Sequence, residues 1–115
     1  MSKRVEAYFK MLHGLSSEDL DQSAKDLALH EKRNSARLIA HIAEIGERRY
    51  HLEQGFKGLF DYCVRRLNCS EGSVYRRMQV ARVCRQFPQI LEALSRGRLH
   101  LTAASLFASH LTEDN

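Results

Sequence analysis

Eight polar side chains of types that bind nucleic acid lie close together in the second half of the sequence. Arginine presents a planar fork that suits phosphate and guanine edges, glutamine can pair with adenine, and serine and tyrosine can donate to phosphate oxygens. If the stretch is helical, an inward Val74 also places Met78 and Ala81 inward, so that the intervening polar side chains point away from the core. The predicted surface for double-stranded DNA comprises Ser70, Ser73, Tyr75, Arg76, Arg77, Gln79, Arg82 and Arg85.

Positive charge is concentrated in the same part of the chain. The 115 residues include 18 Lys and Arg against 14 Asp and Glu, a net charge of +4. Residues 57–98 hold nine basic and three acidic side chains, and eight of those nine are Arg, whereas residues 1–56 hold nine of each sign. This distribution favours a polyanionic partner, although a solvated basic helix in a bundle would have the same composition.

Two helices and a tight turn must position these side chains. Apolar residues recur at helical spacing over residues 59–67, and a second helix is expected from residue 71 to about residue 86. Between them, Asn68 tolerates the left-handed backbone that such a turn requires, and Ser70 can accept from the first free amides of the next helix. The segment 59–83 therefore predicts a helix-turn-helix whose second helix can enter the major groove.

The first half of the sequence predicts two further helices. Apolar residues at i, i+3, i+4 and i+7 define a short helix over residues 5–12, which Gly14 ends. Ser16 is a suitable N-cap for the next helix, since acidic residues follow it in the first turn. The apolar spacing then predicts one long helix over residues 17–54, with Gly55 as its stop.

The long helix has an apolar stripe that is longer than one small domain would cover. Its members include Leu27, Leu38, Ile42 and Ile45. The stripe predicts either a homodimer through the long helix or packing against the later helices, and helical spacing alone does not separate the two. Gly46 lies within the pattern, but an interior Gly costs only about 1 kcal/mol, so the helix is expected to continue through it.

The remaining signals are also helical. Pro88 suits the first turn of a helix that Gly97 ends, Thr102 is the expected cap of the next one, and residues 112–114 resemble the cap and first turn of another. No stretch alternates apolar and polar residues as a strand would. The predicted fold is all-α, a long helix plus a helix-turn-helix-containing bundle, with residues 1–55 and 56–115 forming one compact module.

Other chemistries find little support in the sequence. The cysteines, Cys63, Cys69 and Cys84, are odd in number and lack C-x-x-C spacing, so they predict reduced thiols rather than disulfides or a zinc site. The histidine pairs are too widely spaced to predict a metal site, and no phosphate-binding loop or nucleophile motif occurs, so no cofactor and no catalytic residue is predicted. The chain contains no apolar run near the roughly 20 residues of a membrane span and no signal peptide, which predicts a cytoplasmic protein.

The segment FPQILEALSRGRLHLTAASLFASHL resembles the region that follows the helix-turn-helix in the ParB and KorB chromosome-partition proteins. Those proteins have a Pro-led helix, a Gly-bearing turn and a small-residue helix in the same order. Phe87 replaces their usual Leu, and nothing upstream resembles their nucleotide-binding domain, so a CTP switch is not implied. The matching residues are Pro88, Ile90, Leu94, Gly97, Leu99, Leu101 and Ala103.

A longer stretch, which begins ARLIAHIAEIGERRYHLEQGF and runs to the end of the chain, resembles the amino-terminal region of a bacterial family of HNH endonuclease-like proteins. The nuclease motif of that family lies further downstream, so the resemblance transfers no catalytic residue and implies that this chain is part of a longer protein. Two hypotheses follow: a DNA-binding module that places a nuclease on its substrate, or a protein-interaction or dimerisation module with a merely solvated basic face. Salt dependence separates them, because phosphate contacts release counterions and apolar helix pairing does not.

Overall fold

The computed structural model describes residues 2–113, and these residues confirm the all-α prediction: they form helices and connecting turns without a strand. Among them, no helix combines the length and the apolar character that a bilayer span requires. The helices are α1 (Lys3–His13), α2 (Ser17–Arg48), α3 (Tyr50–Glu53), α4 (Leu59–Arg65), α5 (Glu71–Val83), α6 (Gln89–Ser95) and α7 (Leu101–Glu113).

The described residues up to Glu31 belong to a first compact unit, built from α1 and the beginning of α2. The predicted signals are confirmed here, since Gly14 follows the last residue of α1 and the Ser16 hydroxyl accepts a hydrogen bond from the Asp19 amide at 3.0 Å. No described side chain of this unit is buried, and Phe9 and Leu27 are 58% and 57% exposed. The apolar side chains of this unit, including Leu27 from the stripe on α2, are therefore largely exposed.

The long helix is shorter than the sequence predicts. It continues through Gly46 as expected but ends at Arg48, because Arg49 adopts a left-handed backbone (φ 58°) and the short helix α3 follows in place of a continuation to residue 54. Gly46 is a packing position, since a Cβ there would lie 3.1 Å from Cδ2 of Leu59. The break places His51 of α3 in the interior of the second unit.

The second unit, which begins at Lys32, has two hydrophobic clusters, and α5 contributes to both. In the first cluster, Val80 and Val83 of α5 pack with residues of α2, α6 and α7; in the second, Val74 packs with Ile42 and residues of α4. Ala81 contacts both clusters. The inward positions predicted for α5 are confirmed, but α5 has a second buried face that the sequence argument missed.

The later part of the α2 stripe is covered within the chain. Ile42 is fully buried, and Leu38 and Ile45 are half-buried against the same cluster as α4 and α5. This arrangement is the packing against later helices that the sequence left as an alternative. Of the stripe residues named above, only Leu27 remains on the surface.

Several predicted boundaries near the end of the chain are wrong by a few residues. Helix α5 ends at Val83 rather than near residue 86; residues 84–86 form a turn, and the amides of residues 86 and 87 both donate to the Val83 carbonyl. Helix α7 begins at Leu101, so Thr102 is not its cap; the His100 carbonyl already accepts from the Ala104 amide. Since α7 runs to Glu113, Thr112 begins no new helix, and Asp114 lies outside the described residues.

Candidate nucleic-acid interface

The turn between α4 and α5 has the geometry that the sequence predicts. Asn68 adopts a left-handed backbone with φ 56°, which confirms the expectation from its residue type. The Cys69 amide donates to the Cys63 carbonyl at 3.1 Å and thereby closes the end of α4. A supporting helix, a tight turn and a capped second helix thus follow one another over residues 59–83.

Three of the predicted site residues hold one another at the start of α5. The Ser70 hydroxyl accepts from the Ser73 amide at 3.4 Å, which confirms Ser70 as the N-cap, and the Ser73 hydroxyl donates to the Ser70 carbonyl at 3.0 Å. The Arg77 guanidinium donates to the Ser73 hydroxyl at 3.0 Å, and Arg77 is half-buried with its Nε enclosed. These contacts stabilise the helix start, so Ser73 and Arg77 are less available to a ligand than the sequence suggests.

The exposed arc of α5 carries a hydrogen-bonded row formed by Tyr75, Gln79 and Arg82. The Gln79 amide nitrogen donates to the Tyr75 hydroxyl at 3.1 Å, and the Arg82 guanidinium donates to the Gln79 amide oxygen at 3.4 Å. Tyr75 is 61% exposed, Arg82 is exposed and Gln79 is half-buried. The structure thus brings together three of the predicted outward side chains and fixes their mutual orientation. We call them the α5 row.

Arg76 lies beside this row in a more enclosed position. Its Nε is buried and has no hydrogen-bond partner among the described residues. Its two terminal nitrogens are 3.8 and 3.9 Å from the point where a Cβ on Gly72 would stand, so the guanidinium reaches back over the first turn of α5. A Cβ at Gly72 would make ordinary van der Waals contact with this guanidinium, so the arginine does not require a glycine there.

Arg85 follows α5 and is already paired with an acid. Its guanidinium donates to Glu44 of α2, which also accepts from Arg48 at 2.7 Å. The hydrogen bonds from Arg48 and Arg85 hold the pKa of the Glu44 carboxyl below its usual value, and the Glu44 carboxylate raises the pKa of Arg85. Arg85 can therefore contact a phosphate only in competition with Glu44.

Two arginines at the end of α4 are ordered in a way that sequence reasoning missed. The guanidinium carbons of Arg65 and Arg66 lie 5.6 and 5.2 Å from the centre of the Phe56 ring, which itself packs edge-on against Tyr62. Such cation–π contacts restrict the guanidinium groups without neutralising them. The Arg65 guanidinium also donates to the Asp61 carboxylate at 3.4 Å, whereas Arg66 forms no ion pair over residues 2–113. In the sequence both residues are recognisable only as positive charges, because no spacing rule joins them to an aromatic residue nine or ten positions earlier.

The described cysteines are enclosed to different degrees, and the described histidines belong to no cluster of metal-ligating side chains. Cys63 and Cys84 are buried thiols, Cys69 is half-buried, and burial raises the pKa of Cys63 to about 11. Over residues 2–113, no three His, Cys, Asp or Glu side chains are grouped so that they could hold a metal ion.

Comparison with protein-family models, curated proteins and solved structures gives no match to this chain. The functional interpretation therefore depends on the geometry and charge of the residues described above.

Proposed function

We propose that this chain is a DNA-binding module of the helix-turn-helix type. The observation that carries the proposal is the α5 row: three hydrogen-bonding side chains on the outer arc of a helix that follows a left-handed turn. B-DNA admits one α-helix in its major groove, where Gln and Arg side chains can reach base edges. Because two core clusters hold α5, the backbone from which these side chains project is fixed.

Charge supports the same partner. Helix α5 contains Arg76, Arg77 and Arg82 against Glu71 as its one acidic residue. Arg66 adds an ordered cation just before the turn, and Arg65 adds a second one that is shared with Asp61. Most hydrogen bonds that proteins make to DNA go to phosphate and sugar, so these cations would position the helix while the α5 row reads the groove.

We further propose that the module is not catalytic by itself and places a nuclease domain elsewhere in a longer protein on double-stranded DNA. This step depends on the resemblance to HNH endonuclease-like proteins. Purified chain should leave plasmid DNA intact with Mg²⁺, Mn²⁺ or Zn²⁺. Metal-dependent cleavage that persists through a second, independent preparation would contradict it.

The test of DNA binding is fluorescence anisotropy on labelled duplex DNA across a salt series. Wild-type binding should weaken steeply as salt rises, because several arginines would neutralise phosphates. If Arg82 makes a bidentate base contact, Arg82→Ala should weaken binding by about 1 to 3 kcal/mol, roughly 5- to 150-fold. The Arg76 guanidinium lies at the start of the helix, so Arg76→Ala should weaken binding by a similar amount and relax the preference for one base.

The matched control is Arg33→Ala, which removes the same charge from an exposed position on α2, outside the helix-turn-helix. It should change affinity much less than Arg82→Ala. No binding by the wild type at low salt, or equal losses for Arg33→Ala and Arg82→Ala, would contradict the proposal.

The alternative function is a protein-interaction or dimerisation module, and the first unit favours it. The exposed apolar side chains of α1 and early α2 there include Val5, Tyr8, Phe9, Leu20 and Leu27. Light scattering should show a concentration-dependent dimer that Leu27→Glu abolishes. Leu38→Glu is unsuitable for this test, because Leu38 packs in the core of the second unit. A wild type that stays monomeric at high concentration would exclude dimerisation through this surface.

A further inference from the structure

The second unit contains a cavity that DNA binding does not explain. Its volume is about 310 Å³, and it is walled by residues of α2, α3, α4 and α5. Leu59 and Met78 are among the apolar side chains that line it, while Glu47, Arg82 and Arg85 supply charge. The volume is at the lower end of the range typical of small-molecule sites, which combine apolar walls with a few polar groups.

His51 makes the wall of this cavity unusual. It is only 8% exposed, and its buried Nδ1 has no hydrogen-bond partner among the described residues. A neutral imidazole has one donor and one acceptor, and a buried polar atom without a partner is unfavourable for folding. An apolar side chain of similar size would satisfy the core better. The enclosed Nδ1 has no surface of its own toward the cavity, so any contact of His51 with a ligand is made by the rest of the imidazole ring, which lines the wall.

The charges on the cavity wall differ in availability. Arg85 is engaged by Glu44, and Glu47 lies close enough to raise the pKa of Arg85. Arg82 donates to the neutral amide oxygen of Gln79, and over residues 2–113 it forms no ion pair with a carboxylate. Of the cations on this wall, Arg82 is therefore the one whose guanidinium is available to bind an anionic ligand. Guanidinium groups bind carboxylates with two parallel hydrogen bonds.

We propose that the cavity binds a small monocarboxylate with a compact apolar body. Arg82 holds the carboxylate, Leu59 and Met78 contact the apolar body, and the His51 imidazole contributes a polar contact on the wall. A free phosphate would leave the apolar walls uncovered, whereas a neutral apolar molecule would not engage Arg82.

Arg82 belongs both to the cavity wall and to the α5 row. A carboxylate held by Arg82 would withdraw its guanidinium from DNA, so the ligand and DNA compete. This consequence depends on the proposed DNA-binding function, whereas binding of the carboxylate does not.

The probe for the test is benzoate, and benzamide is its neutral counterpart of the same shape. Two-dimensional amide NMR of the full chain should show saturable benzoate shifts confined to residues that line the cavity. Benzamide should bind more weakly, and Arg82→Gln should weaken benzoate binding on the order of tenfold, because a charge-assisted pair is lost. Arg33→Gln, the matched surface control, should bind benzoate as the wild type does.

His51→Leu tests the second part of the proposal. It should unfold at no lower temperature than the wild type, since it removes a buried atom without a partner, and should still bind benzoate less tightly. If His51→Leu does not fold, Arg82→Gln on the exposed arc keeps the site testable. No saturable shift with benzoate, equal binding of benzamide, or unchanged binding by Arg82→Gln would overturn the proposal.

A DNA titration with and without benzoate then distinguishes the two ideas. If benzoate weakens DNA binding by the wild type but not by Arg82→Gln, the competition is supported. Benzoate binding with unchanged DNA affinity would overturn the competition. Absence of any DNA binding would refute the proposed function, while the NMR result would still decide the cavity.

Discussion

The ion pair between Glu44 and Arg85 predicts that one neutral substitution on α2 strengthens DNA binding. Glu44→Gln removes the carboxylate that engages both Arg48 and Arg85, while the shape of the side chain is kept. Arg85 and Glu44 are 52% and 45% exposed, so the released guanidinium can move into solvent and toward a phosphate.

The size of the effect follows from counterion release. Each additional neutralised phosphate steepens the dependence of log affinity on log salt by about 0.9. If Arg85 alone gains a phosphate, the advantage of Glu44→Gln over the wild type should shrink about 3.5-fold between roughly 50 and 200 mM salt. If Arg48 gains one as well, the advantage should shrink about 12-fold over the same range.

The assay is anisotropy on one duplex at several salt concentrations, with Glu47→Gln as the control. Glu47 lies on the same helix, is exposed and forms no ion pair among residues 2–113, so its substitution removes the same charge, and any longer-range effect on Arg85, without breaking a direct ion pair. Glu44→Gln should have the steeper salt slope. Equal slopes for the two variants, or a Glu44→Gln slope equal to that of the wild type, would refute the reasoning.

Four further predictions concern stability and reactivity. Arg49→Gly should raise the free energy of unfolding by about 0.5 to 1 kcal/mol, because Gly adopts a left-handed backbone without strain. The control Arg33→Gly, inside α2, should lower the free energy of unfolding by about 1 kcal/mol, and thermal melts with the opposite order would contradict the prediction. Asn68→Gly should fold as the wild type does, and Asn68→Val should lose about 1 to 2 kcal/mol, as measured by urea unfolding. The pKa of Glu44 is lowered on folding, so the stability that its carboxylate contributes should be fully present above pH 4.5 and should decline as the pH falls below that value. Urea midpoints of the wild type and Glu44→Gln at several pH values measure this difference. Iodoacetamide should modify Cys69 before the two buried cysteines, as followed by peptide mass spectrometry.

The parts of the fold that sequence reasoning predicted depend on local signals. Asn68 and Ser70 act through their own backbone preference and hydroxyl group, so the turn before α5 could be placed from residue types alone. The end of α1 at Gly14 and the cap at Ser16 are of the same kind. In each case the contact joins residues at most four positions apart.

The parts that it missed depend on contacts between distant residues. Val80 and Val83 are buried because α7 packs along α5, which no local pattern indicates. Arg85 and Glu44 are 41 positions apart, so a residue predicted to meet phosphate is instead paired with an acid. The break at Arg49 follows Gly46 by three residues, but an interior Gly alone does not decide between a break and a continuous helix, and arginine has no special preference for a left-handed backbone.

Because α5 packs into two core clusters, few of its positions can be substituted to change the proposed preference for a DNA sequence. Most positions on the helix pack against a neighbouring element or secure its first turn, so substitutions there would be removed by loss of folding before any effect on recognition was tested. Tyr75, Gln79 and Arg82 lie on the outer arc of α5, outside both clusters, so their side chains can vary at small structural cost. A laboratory selection that randomises these three residues and Arg76 would sample the proposed base-contacting positions in a library small enough to screen completely.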